Sequence, residues 1–228
     1  MKVAVIVPAF NEERNITGVI AELRALGYEP VAVDDGSSDR TAMVARLAGA
    51  QVIHLAINLG IGGAVQTGLR WALGHDFEYF IQVDGDGQHD PASILDLIRP
   101  LVENSADVVI GSRLLTRTGF KPVPLRLVGV RWFSFLCGRK VKDVTSGFRA
   151  LTRRAAEILV DDYPKDYPEP LTIVRARRRG LRLVEVPVRM RRRTHGRSSI
   201  NIWAAIGYVT SVSLGILLEY SLPKEGAF

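Results

Sequence analysis

Short apolar strands and helical segments alternate without interruption through the first 110 residues, and this alternation limits the fold more than any other property of the chain. Residues 2–7, 30–33, 51–55, 78–83 and 107–110 are short apolar or β-branched runs and predict strands. Residues 12–26, 39–47, 62–73 and 91–102 predict helices. In the first of these, Ile16, Val19, Ile20 and Leu23 recur at helical spacing before Gly27 ends the segment. Asp39 stands where an N-cap belongs, and Pro91 where a first helical turn tolerates proline. Strand–helix units joined by loops of 2–6 residues predict a mostly parallel, doubly wound α/β sheet. Ligands of such sheets lie beyond the carboxyl ends of the strands, so the chemistry is expected in the loops after them.

The remainder is less regular. Residues 114–124 lack a period and predict a loop, and residues 143–150 predict another. Residues 125–138, 153–160 and 171–179 predict helices, and 181–187 a strand. No linker divides the chain, which reads as one domain over residues 1–197 with a C-terminal apolar segment over 198–228. With Cys137 as the only cysteine, an internal disulfide and multi-cysteine zinc sites are excluded. The opening apolar run is too short for a secretory signal, which predicts a cytoplasmic protein.

Charge divides the chain. Residues 1–112 carry 7 Lys/Arg against 15 Asp/Glu, and residues 113–228 carry 23 against 9, of which 18 are arginine. The acidic half suits a cation and the basic half suits phosphates, unless the arginines are only a solvated rim.

Five loops follow the five strands. Pro8, Phe10 and Glu12 lie in Pro-Ala-Phe-Asn-Glu-Glu, which is either a ligand edge or an acidic first helical turn. Asp34 and Asp35 open Asp-Asp-Gly-Ser-Ser-Asp, suited to a base or ribose, or else an Asx/Gly turn. Residues 58–64, Asn-Leu-Gly-Ile-Gly-Gly-Ala, would let a backbone approach a phosphate or would form a tight packing turn. Asp84-Gly85-Asp86-Gly87-Gln88-His89 is the sharpest signal. Alternate residues of an extended segment point one way, so Asp84, Asp86 and Gln88 can converge as hard oxygen ligands for Mg²⁺ or Mn²⁺. Two carboxylates so close call for a cation or a raised carboxyl pKa. An acidic surface turn is the plain alternative, and His89 reads as an ordinary turn histidine. Gly111-Ser112-Arg113 places an arginine at a strand end, within reach of an anion or simply at the surface.

With these motifs in order, and with residues 143–149 (Asp-Val-Thr-Ser-Gly-Phe-Arg) added, the chain from about residue 2 to 200 resembles the family 2 glycosyltransferases of GT-A fold. It is most similar to the dolichol- and polyprenol-phosphate sugar synthases, the mannosyl- and glucosyltransferases among them. The resemblance implies inverting transfer of a sugar from a nucleotide diphosphate, of GDP-mannose or UDP-glucose type, to a polyprenyl or dolichyl phosphate. It implies that Pro8, Phe10, Glu12, Val33 and Asp35 border the nucleoside. Asp84, Gly85 and Asp86 would meet the diphosphate, and Asp84, Asp86 and Gln88 the metal. Arg113, Arg193 and Arg197 would hold the acceptor phosphate, with Asp86, Arg113 and Arg193 at the reacting centre. Where the family often has lysine this chain has Ser199, and Arg197 is the substitute.

An ionised acceptor phosphate needs no general base, whereas a sugar hydroxyl does. Glu169 is held in reserve for that role, its other reading being an acid at a helix start. A soluble or polysaccharide acceptor, and a non-catalytic nucleotide-sugar or lipid-binding protein, are the rival readings. A nucleotidyltransferase is disfavoured because its glycine-rich loop would belong after the first strand.

The clusters Arg175, Arg177, Arg178, Arg179 and Arg189, Arg191, Arg192, Arg193 lack interleaved aromatics, which disfavours nucleic acid and favours anionic lipid headgroups. Residues 198–218 hold 21 uncharged positions, with Trp203 and Tyr208 suited to an interface. That segment reads as an in-plane membrane helix, a span, or a packing or dimer contact. Many relatives continue into membrane helices, whereas this chain ends at Phe228, so a peripheral membrane protein is expected. Nothing in the sequence sets an oligomeric state.

Overall fold

A computed structural model describes residues 1–115, 124–138, 141–192 and 202–223. Among them one sheet of seven strands runs β3-β2-β1-β4-β6-β5-β7. The strands are β1 (Val3–Ala9), β2 (Glu29–Asp34), β3 (Gln51–His54), β4 (Tyr79–Gln82), β5 (Val108–Ser112), β6 (Arg149–Thr152) and β7 (Leu183–Pro187). All neighbours pair in parallel except β6, which runs antiparallel to both β4 and β5.

The helices are α1 (Ile16–Ala25), α2 (Thr41–Leu47), α3 (Gly60–Leu73), α4 (Ile94–Val102), α5 (Pro124–Leu136), α6 (Arg153–Val160), α7 (Pro168–Arg178) and α8 (Ile202–Ser221). Two cores result, one on each face of the sheet. The first is built by α1 and α4, the second by α3, α6 and α7 with parts of α5 and α8. Helix α4 shows why: Ile94, Leu97, Ile98 and Leu101 form one stripe and all are buried. Each such side chain contributes about 1.5–3 kcal/mol when removed from water.

Three expectations need correction. Residues 149–150, the tail of the expected loop, instead open β6, Arg149–Thr152. The strand is too short to show a period, and it exists because ladders on both sides pair it. Residues 91–102 are not one helix: a 3-10 turn, Pro91–Ser93, capped by Asp90 precedes α4. Asp39 is not the N-cap of α2, a position held by Arg40. Its carboxylate still accepts from Thr41 N and Oγ1, at 2.9 and 2.5 Å, one residue before the cap.

The C-terminal segment is docked. Val212 and Ile216 of α8 are fully buried in the second core, and Glu219 pairs with Arg175 of α7 at 2.5 Å. Trp132 Nε1 of α5 donates to Ser213 Oγ at 2.9 Å. Among the described residues, no helix is long and apolar enough to cross a membrane. The boundary expected at residues 197/198 lies outside the described residues, as do residues 116–123 of the expected loop.

Candidate active site

Because β1, β2, β3, β4 and β5 are parallel, the loops after them gather at one edge. The antiparallel course of β6 delivers the loop before it, residues 143–148, to that same edge.

Backbone bonds knit the first three loops together. Asp35 N donates to Ala9 O at 2.9 Å, Ser38 N to Asn11 Oδ1 at 3.0 Å, and Leu59 N to Asp35 Oδ1 at 2.7 Å. Glu12 is buried, its N–H bonded to Thr41 Oγ1 at 2.8 Å and its Oε2 accepting from Asn15 Nδ2 at 2.6 Å. The adjacent aspartates part ways, as strand alternation requires. Asp34 turns to His54 Nδ1 at 2.7 Å, while Asp35 faces the cavity.

That cavity has a volume of about 230 Å³. Pro8, Phe10, Glu12 and Asp35 line it on one side, Asp84, Gly85 and Asp86 on the other. Ala9, Ile61 and Ala64 complete it, the last two from the first turns of α3, which the sequence did not single out by side chain. Phe10 is 48% exposed, an apolar ring at the rim on which a base can stack.

The turn after β4 is held from several sides. Asp84 Oδ1 accepts from Gln82 Nε2 at 3.0 Å, and Asp86 Oδ1 from Gln88 N at 3.0 Å. His89 is more than a turn histidine. It is buried, stacked on Phe148 at 4.7 Å between centroids, and its Nδ1 accepts from Asp84 N at 3.0 Å. With Nδ1 accepting, the proton sits on Nε2, which lies 3.6 Å from Asp84 Oδ2. Histidine and phenylalanine therefore brace the acidic turn from below. Sequence alone missed this because Phe148 lies 59 residues away from His89.

Several expected residues lie elsewhere. Val33 is fully buried in the core and offers no side-chain atom to a ligand. Gly60 opens α3 with a positive φ of 79°, whereas Gly62 is a packing glycine. A Cβ on Gly62 would sit 2.1 Å from Pro164 O and 2.4 Å from Lys165 O, so backbone of residues 164–165 covers that turn instead of a phosphate. Gln88 is placed by its backbone, donating to Asp86 and accepting from Arg191 N at 2.8 Å, and is not among the cavity-lining residues.

Arg113 is not on the cavity wall either. Its guanidinium makes a bidentate pair with the fully buried Asp143, Nε to Oδ2 at 2.8 Å and Nη2 to Oδ1 at 3.0 Å. Nη2 also donates to Thr145 Oγ1 at 3.0 Å. Asp143 is itself fixed by its N–H to Glu185 Oε1 at 2.8 Å. Arg193, Arg197 and Ser199 lie outside the described residues.

The arginines of α7 serve the fold. Arg175 binds Glu219 and Asp162, Arg177 binds Cys137 O, Arg178 binds Leu222 O and Pro223 O, and Arg179 binds Ile158 O and Asp162. These guanidinium groups are bonded to other parts of the protein while remaining partly exposed.

Tyr163 lies beneath the site. Burial pushes its hydroxyl up to about 12, the positive charge of Arg149 pulling the other way and the charges of Glu169 and Asp84 adding to the rise. Glu169 stands in the first turn of α7.

As to metals, no group of three His, Cys, Asp or Glu among the described residues could hold an ion alone. The cavity is lined by four carboxylates, Glu12, Asp35, Asp84 and Asp86, without thiolate or imidazole; the close pair Asp84 and Asp86 suits a hard cation that takes its other ligands from water and phosphate.

Comparison with known proteins agrees with this arrangement. Residues 4–159 match the model of glycosyl transferase family 2. The chain is 31% identical over 209 residues to a UDP-N-acetylglucosamine–dolichyl-phosphate N-acetylglucosaminyltransferase of Methanococcus voltae, covering 81% of this chain and 83% of that protein. It is 30% identical over 217 residues to an undecaprenyl-phosphate mannosyltransferase of Micrococcus luteus, covering 88% of each. In fold it is similar to glucosyl-3-phosphoglycerate synthase of Mycobacterium tuberculosis, solved with Mn²⁺, uridine diphosphate and phosphoglyceric acid. The TM-score is 0.76 at 20% identity, over 99% of this chain and 80% of that one. A seven-stranded GT-A sheet, an acidic turn at its edge and a family match across two thirds of the chain lead to one conclusion: this protein belongs to glycosyl transferase family 2 and is a glycosyltransferase.

Proposed function

We propose that the chain transfers a hexose from a nucleotide diphosphate sugar to a polyprenyl phosphate, with Mg²⁺ or Mn²⁺ bound. The observation that carries this reading is the single cavity onto which Pro8, Phe10, Glu12 and Asp35 converge with Asp84, Gly85 and Asp86. Phe10 and Asp35 take the nucleoside, by stacking and by hydrogen bonding. Asp84 and Asp86 are the residues that would hold the cation, which when bound would supply positive charge opposite the leaving diphosphate. Gln82 and His89 keep Asp84 from swinging, so the carboxylate is preorganised. The acceptor oxyanion attacks the anomeric carbon opposite the leaving group, and Arg113, Arg193 and Arg197 are the candidates for its phosphate. Relatives that share over four-fifths of their length with this chain and act on dolichyl or undecaprenyl phosphate support that acceptor class.

The membrane enters through helices α5 and α8. Val128, Trp132 and Phe135 of α5 are exposed, as are Leu214, Leu217 and Leu218 of α8, and the Trp132–Ser213 bond joins the two helices. This apolar face lies in the headgroup region and presents the protein as a peripheral enzyme on the cytoplasmic side.

The test is sugar transfer to undecaprenyl phosphate with a panel of nucleotide sugars. Turnover is expected with one donor, lost on chelation and restored by Mn²⁺. Absence of transfer with every donor refutes it. A hydroxyl acceptor is the second reading, for which Glu169, in the first turn of α7, is the candidate base. It predicts that Glu169→Gln abolishes turnover, whereas a phosphate acceptor predicts a loss below tenfold.

A further inference from the structure

Among the described residues, Arg149 is a buried charge without a carboxylate partner. It opens β6 and is only 4% exposed, and its guanidinium bonds to carbonyl oxygens alone. Nε donates to Ser146 O at 2.8 Å and Nη2 to Val144 O at 3.2 Å, while the buried Nη1 finds no partner. A cavity of about 10 Å³ lies against Arg149, Gln82, Tyr163 and Thr172, room for one water that would accept from Nη1. A buried guanidinium left without an acid is costly to a fold. Its effect is local. It gathers two carbonyls of the loop before its own strand, and so sets the course of residues 143–148.

That loop stands behind Asp84. A Cβ on Gly147 would lie 2.9 Å from Gln82 Nε2 and 3.1 Å from Asp84 Oδ2, so the loop backbone is packed against both. Phe148 stacks on His89, whose Nδ1 accepts from Asp84 N. Gln82, which donates to Asp84 Oδ1, is the register partner of Arg149 across the β4–β6 ladder, so amide and guanidinium share one face of the sheet. The supports of Asp84 thus meet at a segment whose shape the Arg149 guanidinium holds.

We propose that Arg149 is a positioning residue for Asp84: by binding Val144 O and Ser146 O it fixes the loop that backs this carboxylate, and so presets the metal site. This deepens the function proposed above and rests on its reading of Asp84 as a metal ligand. Arg149 is not among the residues lining the donor cavity, so it acts through the loop and not on a ligand. Lysine keeps the charge without the planar fork and holds two carbonyls less well. Methionine fills similar space with no donor. Removing an unpaired buried charge offsets the lost hydrogen bonds, so stability changes little while the metal site loosens. That separation distinguishes positioning from packing.

The test compares wild type, Arg149→Met and Arg149→Lys. Mn²⁺ affinity is read by electron paramagnetic resonance with saturating UDP and, separately, GDP. Binding of each nucleotide is also read by calorimetry with EDTA present. In Arg149→Met the Mn²⁺ affinity is expected to fall about tenfold, with metal-free nucleotide affinity within about twofold and Tm within about 4 °C of wild type. Arg149→Lys should show a smaller, roughly threefold loss of Mn²⁺ affinity. Unchanged Mn²⁺ affinity in Arg149→Met overturns the proposal. An equal loss of metal-free nucleotide binding, or a Tm drop beyond about 10 °C, overturns it too, since either marks a general loosening of the fold. If Arg149→Met does not fold, Arg149→Lys decides by the same readings, and an unchanged Mn²⁺ affinity again overturns the proposal. Absence of Mn²⁺–nucleotide binding in wild type is a different failure, that of the proposed function itself.

Discussion

Carboxylates and arginines are used in opposite ways in the two halves of this molecule. In the first half Asp35, Asp84 and Asp86 are brought to one cavity, held by neighbours but turned toward a ligand. In the second half, many described arginines bond to other parts of the same protein. Arg175, Arg177, Arg178 and Arg179 bind carbonyls and carboxylates of α5, α6 and α8 and of the loop after α6, Arg182 binds Asp107 and Asn104, and Arg153 binds the carbonyls of Leu73, His75 and Phe77. A net charge therefore says little about binding until the partners of each charge are known. Guanidinium groups serve as fasteners between segments as readily as they serve phosphates.

The comparison can be broken at several points. The largest effect is expected at the cavity: Asp86→Ala should lower turnover by roughly 10³-fold, equivalent to about 4 kcal/mol of transition-state stabilisation, with Tm unchanged. Steady-state kinetics and a melting curve check both halves of that statement. Gly147→Ala comes next. A Cβ there would sit 2.9 Å from Gln82 Nε2 and 3.1 Å from Asp84 Oδ2, so the carboxylate must shift and turnover should drop roughly 10- to 100-fold.

On the other side of the comparison, Arg175→Ala should act on stability. The Arg175–Glu219 pair is 17% and 11% exposed, and its loss leaves a carboxylate poorly solvated. A cost of about 2 kcal/mol, or roughly 4–8 °C in Tm, is expected. A change in vesicle binding with no change in Tm would instead return this arginine to a headgroup role.

The smallest effect concerns pH. Hydrogen bonds from Arg182 hold the Asp107 carboxyl below the usual carboxylate range. Its folded pKa is depressed, so the stability it contributes is present above the unfolded value of about 3.9 and is lost as pH falls through the folded one. Asp107→Asn should therefore flatten the acid limb of the stability curve below about pH 4, measured by denaturant titration at several pH values.

Much of the site was legible in the chain itself, since strand-end motifs and a parallel sheet together predict one edge. Asp84 and Asp86 illustrate this: a short, glycine-spaced acidic turn directly after β4 keeps both carboxylates at the strand end, and both line the cavity. Val33 illustrates the limit. It precedes the Asp34–Asp35 pair, but α3 packs over it, and no local pattern announces which strand residue a distant helix will cover. The same holds for Gln88, whose backbone is taken by Arg191, 103 residues away.

The order of strands and helices, the six motifs and the family were fixed by residues close together in the chain, because periodicity and turn chemistry are local. The antiparallel insertion of β6, the bracing of Asp84 by His89 and Phe148, the withdrawal of Arg113 into Asp143, and the docking of α8 were decided only by tertiary structure. Each depends on a contact between distant segments, where burial decides whether a charge seeks solvent, a ligand or another part of the same protein.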